Sequence, residues 1–208
     1  MPLFYQRNIN QFTKLAVWEI KEDENFFTQQ ITLQRNITHP HKRLQHLAGR
    51  YLLQYLYPSF SANDISFNHA NKPFSVNKDV HFSISHCGNY AATIINLSNR
   101  VGIDIEIPTN KILKIAPKFL HQLEIENLQI PMHLHTPKLI HQLTLLWSCK
   151  EAVFKWWGNG QINFSEMIRI QPFSLADNGI IKVNFKQYIL TIEYKMFENL
   201  CLAWVVDK

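Results

Sequence analysis

The segment Val101-Gly102-Ile103-Asp104-Ile105-Glu106 alternates apolar and acidic residues around a single glycine. Side chains in a strand alternate between two faces, so Asp104 and Glu106 share one face and Val101, Ile103 and Ile105 share the other. The apolar face asks for burial, which makes the strand part of a core and leaves two carboxylates at a strand end that Pro108 closes. Hard divalent cations are commonly held by one or two such carboxylates together with substrate phosphates. A solvated edge strand with two surface acids shows the same pattern, so the segment alone does not choose between the two.

A second segment, Trp147-Ser148-Cys149-Lys150-Glu151-Ala152-Val153-Phe154-Lys155, lies in a helical stretch predicted from Pro137 to Trp157. Leu139, Leu143, Leu146, Phe154 and Trp157 recur at helical spacing and form its apolar stripe. Glu151 and Lys155 fall together beside that stripe, one turn apart. Read blandly, they are an i,i+4 ion pair worth roughly 0.2–0.5 kcal/mol. Lys150 falls within the stripe itself, where it either snorkels out along its stem or serves a site.

Taken with Phe82-Ser83-Ile84-Ser85-His86 upstream, these two segments carry a resemblance. The chain resembles the 4′-phosphopantetheinyl transferase superfamily, in particular its longer, monomeric surfactin-type branch. That family has a Gly-Ile-Asp-Ile-Glu type strand followed, about forty residues on, by a Trp-x-x-Lys-Glu-x-x-x-Lys helix. Both are present here in that order, and Asn71-Lys72-Pro73 and Ser85-His86 resemble its Gly-Lys-Pro and Ser-His segments. The likeness covers roughly residues 38–158.

The resemblance implies an α+β fold of two similar halves related by a pseudo-two-fold axis, with the active site in the cleft between them. Residues 1–100 would form the coenzyme A-binding half, and residues 101–208 the half with the metal site, the catalytic helix and the carrier-docking surface. It implies transfer of the phosphopantetheine arm of coenzyme A to a serine of an acyl or peptidyl carrier protein. Asp104, Glu106 and Glu151 would bind Mg²⁺, with Mn²⁺ the alternative ion; Glu151 would act as base and Lys155 would stabilise the phosphate. Ser85 and His86 would contact the phosphates of coenzyme A, and Lys72 would reach them from its turn. Positive charge for the 3′-phosphate would come from the region of His41, Lys42 and Arg43, of which Lys42 and Arg43 are cationic without help. Asn71 stands where the family usually has Gly, and asparagine tolerates the left-handed backbone of such a turn.

Composition sets the outer limits. The 208 residues are 46% hydrophobic and 12% aromatic, enough for a substantial core and too apolar for a disordered chain. Lys and Arg outnumber Asp and Glu by 21 to 16, a modest excess that suits an acidic small ligand, an acidic protein or nucleic acid. The three cysteines have no metal or redox spacing and fit a reducing compartment. The first ten residues lack the apolar centre of a signal peptide, and no apolar run approaches the ~20 residues that span a membrane. The expectation is a cytoplasmic protein that binds neither membrane nor nucleic acid, and the resemblance implies a monomer.

In chain order, Leu15-Ala16-Val17-Trp18-Glu19-Ile20 reads as a strand and Lys21-Glu22-Asp23-Glu24 as the opening of a helix running towards Leu33. Thr38-His39-Pro40 starts a helix over residues 41–57, with Leu44, Leu47, Ala48, Tyr51, Leu52 and Tyr55 as its buried face. Strands follow at residues 65–68, 81–86 and 90–96; Asn99-Arg100 then leads into the strand at Val101, the latter two forming a hairpin. Lys111-Ile112-Leu113-Lys114-Ile115-Ala116-Pro117-Lys118-Phe119-Leu120 mixes exposed lysines with large apolar residues, as a carrier-docking surface would. His121, His133, His135 and His141 lack the spacing of a metal cluster. Beyond Gly158 strands are expected over residues 162–170, 180–185, 188–194 and 200–206, with a turn at Asp177-Asn178-Gly179 and both faces of the last strand covered.

Three other functions are compatible with parts of the chain. One is a catalytically silent module that binds coenzyme A or carrier. Another is a serine hydrolase using Ser85 and His86, although adjacent strand residues point to opposite sides and no Gly-x-Ser-x-Gly elbow surrounds Ser85. The third is a nucleic-acid binder, which the basic balance permits but no motif supports.

Overall fold

A computed structural model describes residues 2–33, 36–77 and 79–207. The chain opens with strands β1 (Leu3–Asn8) and β2 (Thr13–Glu19), followed by helices α1 (Glu24–Thr28) and α2 (Pro40–Leu56). Next come the short strands β3 (Ile65–Phe67) and β4 (Pro73–Ser75), then β5 (His81–Cys87), β6 (Tyr90–Asn96) and β7 (Val101–Glu106). Helices α3 (Lys111–Phe119), α4 (Gln122–Asn127), α5 (Pro137–Trp157) and α6 (Phe164–Met167) lead to β8 (Ile168–Ile170), β9 (Asn178–Phe185), β10 (Tyr188–Phe197) and β11 (Leu200–Val206). The fold is α+β, with antiparallel sheets of order β1-β2-β6-β5, β7-β11-β10-β9-β8 and β3-β4.

Strand alternation sorts the apolar residues into three cores. Ala16 and Trp18 of β2 face α2, where Leu47, Ala48, Leu52 and Leu53 cover them. Leu15 and Val17 face the other way and meet Val101, Ile103, Ile105, Leu202 and Trp204, so the two large sheets pack face to face. Cys201, Ala203 and Val205 of β11 face the third core, under Leu143, Leu146, Ala152 and Trp156 of α5. Both faces of β11 are therefore covered, as its uninterrupted apolar run predicts.

The two long helices end where their sequence says they should. His39 caps α2 by accepting from Lys42 N, with Pro40 in the first turn. Thr136 caps α5, whose far end is Gly158 at φ 72°, a left-handed C-cap that costs glycine little.

Four local expectations are corrected. The first helix spans only Glu24–Thr28: Asp23 caps it, and Phe27 O then accepts from both Gln30 N and Ile31 N, turning the chain so that Ile31 is buried. β6 and β7 do not form a hairpin. Asn96 Oδ1 accepts from Ser98 N and Asn99 N and breaks the strand direction, and β7 takes β11 as its partner. Residues 162–170 are not one strand, because Asn163 caps α6 through Ser165 N and Glu166 N and strand starts only at Ile168. Asn178 and Gly179 make no turn; they pair with Lys195 and Tyr194, and a Cβ at Gly179 would stand 3.0 Å from the Tyr194 hydroxyl, so that ring packs closely on the glycine.

One seam positions the site. β5 and β7 are edge strands of different sheets and lie side by side. Ile103 N donates to Ser83 Oγ at 3.2 Å, Ile105 N to Ser85 Oγ at 3.3 Å and Ile107 N to Cys87 Sγ at 3.4 Å. Alternate side chains of β5 thus satisfy the outward amides of β7, which would otherwise be an open sheet edge. The same spacing fixes Ser85 beside Asp104.

Candidate active site

Asp104 lies on the α5 side of β7 and is 2% exposed. Its Oδ1 accepts from Lys155 Nζ at 2.6 Å and from Ser85 Oγ at 2.9 Å. Lys155 Nζ also donates to Ser85 Oγ at 2.7 Å. The hydroxyl therefore gives its one proton to Asp104 and receives from Lys155 and Ile105 N, using its full hydrogen-bonding capacity. Ser85 and His86 do point to opposite sides: His86 faces α2, its ring 5.0 Å from that of His46. The Ser85 hydroxyl is thus bonded to a carboxylate and an ammonium.

Glu106 and Glu151 complete the acidic side. Glu106 is half-buried and its Oε1 accepts from Trp147 Nε1 at 3.4 Å. Burial raises its pKa, with the neighbouring Asp104 charge adding to the effect. Glu151 is pushed up to about 7, first by burial and then by Asp104; Lys155 opposes the shift and Glu106 adds to it. The three carboxylates thus feel one another's charge across the β7–α5 contact, the condition under which a cation is most strongly attracted. Asp104 Oδ2 is buried without a hydrogen-bond partner among the described residues. That orphaned oxygen and two carboxylates held above their ordinary range make a donor set suited to a hard divalent ion. Among the described residues no three His, Cys, Asp or Glu side chains already stand in ligating geometry, and Lys155 takes up Asp104 Oδ1.

On the basic side, Asn71 adopts φ 60° and turns the chain so that Lys72 lies against the α5 terminus. A Cβ at Gly158 would fall 2.6 Å from Lys72 Cδ, so the glycine makes room for the lysine. Burial and the nearby Arg100 lower the Lys72 pKa to about 8. Lys72, Pro73, Ile84, Phe154, Lys155 and Gly158 line a cleft of about 210 Å³. His86 is lowered by burial, then by Lys155, and Lys42 also acts on it. Arg43 turns the other way: Glu24 takes its guanidinium at 2.6 and 2.8 Å, and Ile37 O accepts from it at 3.2 Å. His41 is tied to Gly88 O at 3.0 Å. Of the three basic residues at the start of α2, Lys42 is exposed and near His86, whereas Arg43 is committed to α1.

Two residues were misjudged or left open by sequence. Lys150 neither snorkels nor faces the site; it is fully buried and bonded to Glu124 at 2.6 Å. Cys87 belongs to the β5–β7 seam, and burial beside Glu106 pushes its thiol up to about 12. Trp147, the donor to Glu106, opens the Trp-x-x-Lys-Glu motif in the sequence, where nothing names Glu106 as its acceptor. The alternation Ser83, Ser85, Cys87 was the available signal for the seam.

Comparison with known proteins bears on the family of the chain. The profile of the 4′-phosphopantetheinyl transferase superfamily matches residues 100–204. The chain is 32% identical over 159 residues to the 4′-phosphopantetheinyl transferase gsp of Aneurinibacillus migulanus, covering 74% of this chain and 62% of that protein. It is 34% identical over 107 residues to a 4′-phosphopantetheinyl transferase of Bacillus subtilis, covering 50% and 44%. To the 4′-phosphopantetheinyl transferase HetI of Nostoc sp. it is 26% identical over 139 residues, covering 62% and 57%. The chain thus spans less than two thirds of the length of each of these relatives.

Proposed function

The chain belongs to the 4′-phosphopantetheinyl transferase superfamily, and on that premise we propose that it moves the phosphopantetheine arm of coenzyme A to a serine of an acyl or peptidyl carrier protein. The observation that carries this reading is the triangle of Asp104, Ser85 and Lys155, all three contacts at 2.6–2.9 Å, flanked by Glu106 and Glu151.

Asp104, Glu106 and Glu151 are the residues that would hold Mg²⁺, or Mn²⁺ in its place, and the ion when bound neutralises charge on the pyrophosphate. The chain's own groups do the rest. Lys42, Lys72 and His86 bind the phosphates of coenzyme A, Ser85 joins them when its proton turns from Asp104 to a phosphate oxygen, and the cleft beside Lys72 takes an adjoining part of that molecule. Glu151, with a pKa near neutrality, accepts the proton of the carrier serine. The serine oxygen forms a new bond to the pantetheine phosphorus as the bond to the bridging oxygen breaks, and adenosine 3′,5′-bisphosphate leaves with that oxygen. Lys155 holds the phosphate oxygens during transfer.

The carrier would dock along α3. Lys111, Lys114 and Lys118 are exposed there, while Ile112, Ala116 and Phe119 anchor the helix to the core. A cavity of about 270 Å³ lined by Glu106, Lys111, Ile115 and Trp147 joins this helix to the acidic side of the site. Positive charge beside apolar surface suits the acidic amphipathic helix of a carrier. The chain would act as a monomer in the cytoplasm; among the described residues no helix is long and apolar enough to cross a membrane.

The test is to incubate the protein with coenzyme A, Mg²⁺ and a panel of apo carriers and weigh the products. A carrier heavier by one phosphopantetheine is the expected result. Coenzyme A binding with every carrier unchanged in mass would instead make it a binding module.

A further inference from the structure

We infer that Lys150 is a positioning residue for the candidate site, setting Trp147 and, through it, the Glu106 carboxylate; the inference rests on the reading of that site as cation-dependent. Lys150 Nζ has Glu124 Oε2 at 2.6 Å, Ile168 O at 2.7 Å and Phe119 O at 2.8 Å as acceptors for its three protons, and Phe164 O, at 3.1 Å, shares one of them. Glu124 in turn accepts from His121 N at 2.9 Å and Ile170 N at 2.8 Å. One ammonium and one carboxylate thereby fasten the end of α3, the start of α4, α6 and β8 to α5. Apolar residues of equal volume would stabilise a core at least as well as a buried ion pair, so what the pair adds is a fixed arrangement of directional contacts.

That arrangement leads to the site. Two of the carbonyls Lys150 holds belong to Phe119 and Phe164, whose rings flank the Trp147 indole at 5.1 and 5.4 Å between centroids. Trp147 then donates to Glu106 Oε1 at 3.4 Å, close to the limit of a useful bond. A shift of a few tenths of an ångström in either ring is enough to lose that bond and free the carboxylate to rotate. Lys150 acts one residue before Glu151 on α5, so a single helix sets two of the three acids, one directly and one through the aromatic stack.

The experiment pairs Lys150→Met with Glu124→Gln, so that neither charge is left buried alone. Mn²⁺ binding in the presence of coenzyme A is followed by electron paramagnetic resonance, and the Trp147 indole N–H by proton–nitrogen correlation spectra. The expected result is a folded protein with Mn²⁺ affinity reduced ~10–100-fold, as for other outer partners of metal ligands, and a shifted Trp147 indole resonance. Trp147→Phe, which leaves the ion pair intact, should reproduce the affinity loss. A folded double variant with unchanged affinity and an unchanged indole resonance overturns the inference. If the double variant does not fold, Phe164→Leu keeps the held carbonyl and removes one flanking ring, and unchanged Mn²⁺ affinity there overturns it equally. Should the unmodified protein itself bind no Mn²⁺, the cation reading of the site fails, and the indole resonance of the double variant decides the role of Lys150 separately.

Discussion

Gly102 lies so close to α5 that a Cβ on it would fall 2.0 Å from the Ala152 carbonyl oxygen and 2.7 Å from Trp156 N. Both obstacles are helix backbone and cannot rotate away. This contact sets the depth at which α5 rests on β7, and so brings Lys155 to Asp104. Gly102→Ala should push helix from strand and cost at least the ~1–3 kcal/mol of an overpacked core. Urea unfolding would show the loss as a lower midpoint, and a wild-type midpoint would remove this contact from the account.

Asp104→Ala and Glu151→Ala should keep the fold and lose carrier loading. Removing a general base alone typically costs ~10²–10⁴-fold, and Asp104 is in addition the shared acceptor of Lys155 and Ser85. Single-turnover mass spectrometry on the apo carrier measures this. Near-normal loading by either variant takes that residue out of its proposed role.

The raised carboxylates make the metal-free protein sensitive to pH. Glu151 is held at about 7 in the folded chain against an ordinary 4.5, so its protonated form is the one folding favours. That contribution is full below about pH 4.5 and is lost as pH rises through about 7. Glu106 is shifted in the same direction. In chelator, the melting temperature should therefore fall between about pH 4.5 and about pH 7 and level off above, and Glu151→Gln should flatten the slope. A profile that is flat in the unmodified chain would contradict the burial of these groups.

Ser85→Ala removes a hydroxyl that serves Asp104, Lys155 and Ile105 N at once. Leaving such groups short of a partner costs about 1–3 kcal/mol. We expect reduced stability and slower, not abolished, loading. A fluorophosphonate probe should leave Ser85 unlabelled, because its hydroxyl has no imidazole base. Labelling at this residue would revive the hydrolase alternative.

Reversing charge on α3, as Lys114→Glu with Lys118→Glu, should slow carrier loading mainly through association. The effect should shrink at high salt, where screening removes most of the steering. The coenzyme A dissociation constant should not change. Loading kinetics across a salt series would check it, and a salt-independent rate equal to wild type would move the docking surface elsewhere.

Periodicity made much of the local structure legible. The alternation of residues 101–106 set the two faces of β7, and the helical spacing from Pro137 to Trp157 set the extent of α5, because helix and strand periodicity depend on near neighbours. The joint appearance of Asp104, Glu106 and Glu151 as one acidic set was legible only through motif order. What near neighbours could not decide was which distant groups would meet. β7 pairs with β11 and not with β6, since an apolar strand accepts any partner that covers it and the choice falls to global packing. Arg43 goes to Glu24 while Lys42 stays near His86, although the two are adjacent cations in sequence. Lys150 reads as an anomaly in an apolar stripe until four acceptors from separate segments converge on it. Side-chain type limits what each residue can do; only the three-dimensional arrangement supplies the partner with which it does it.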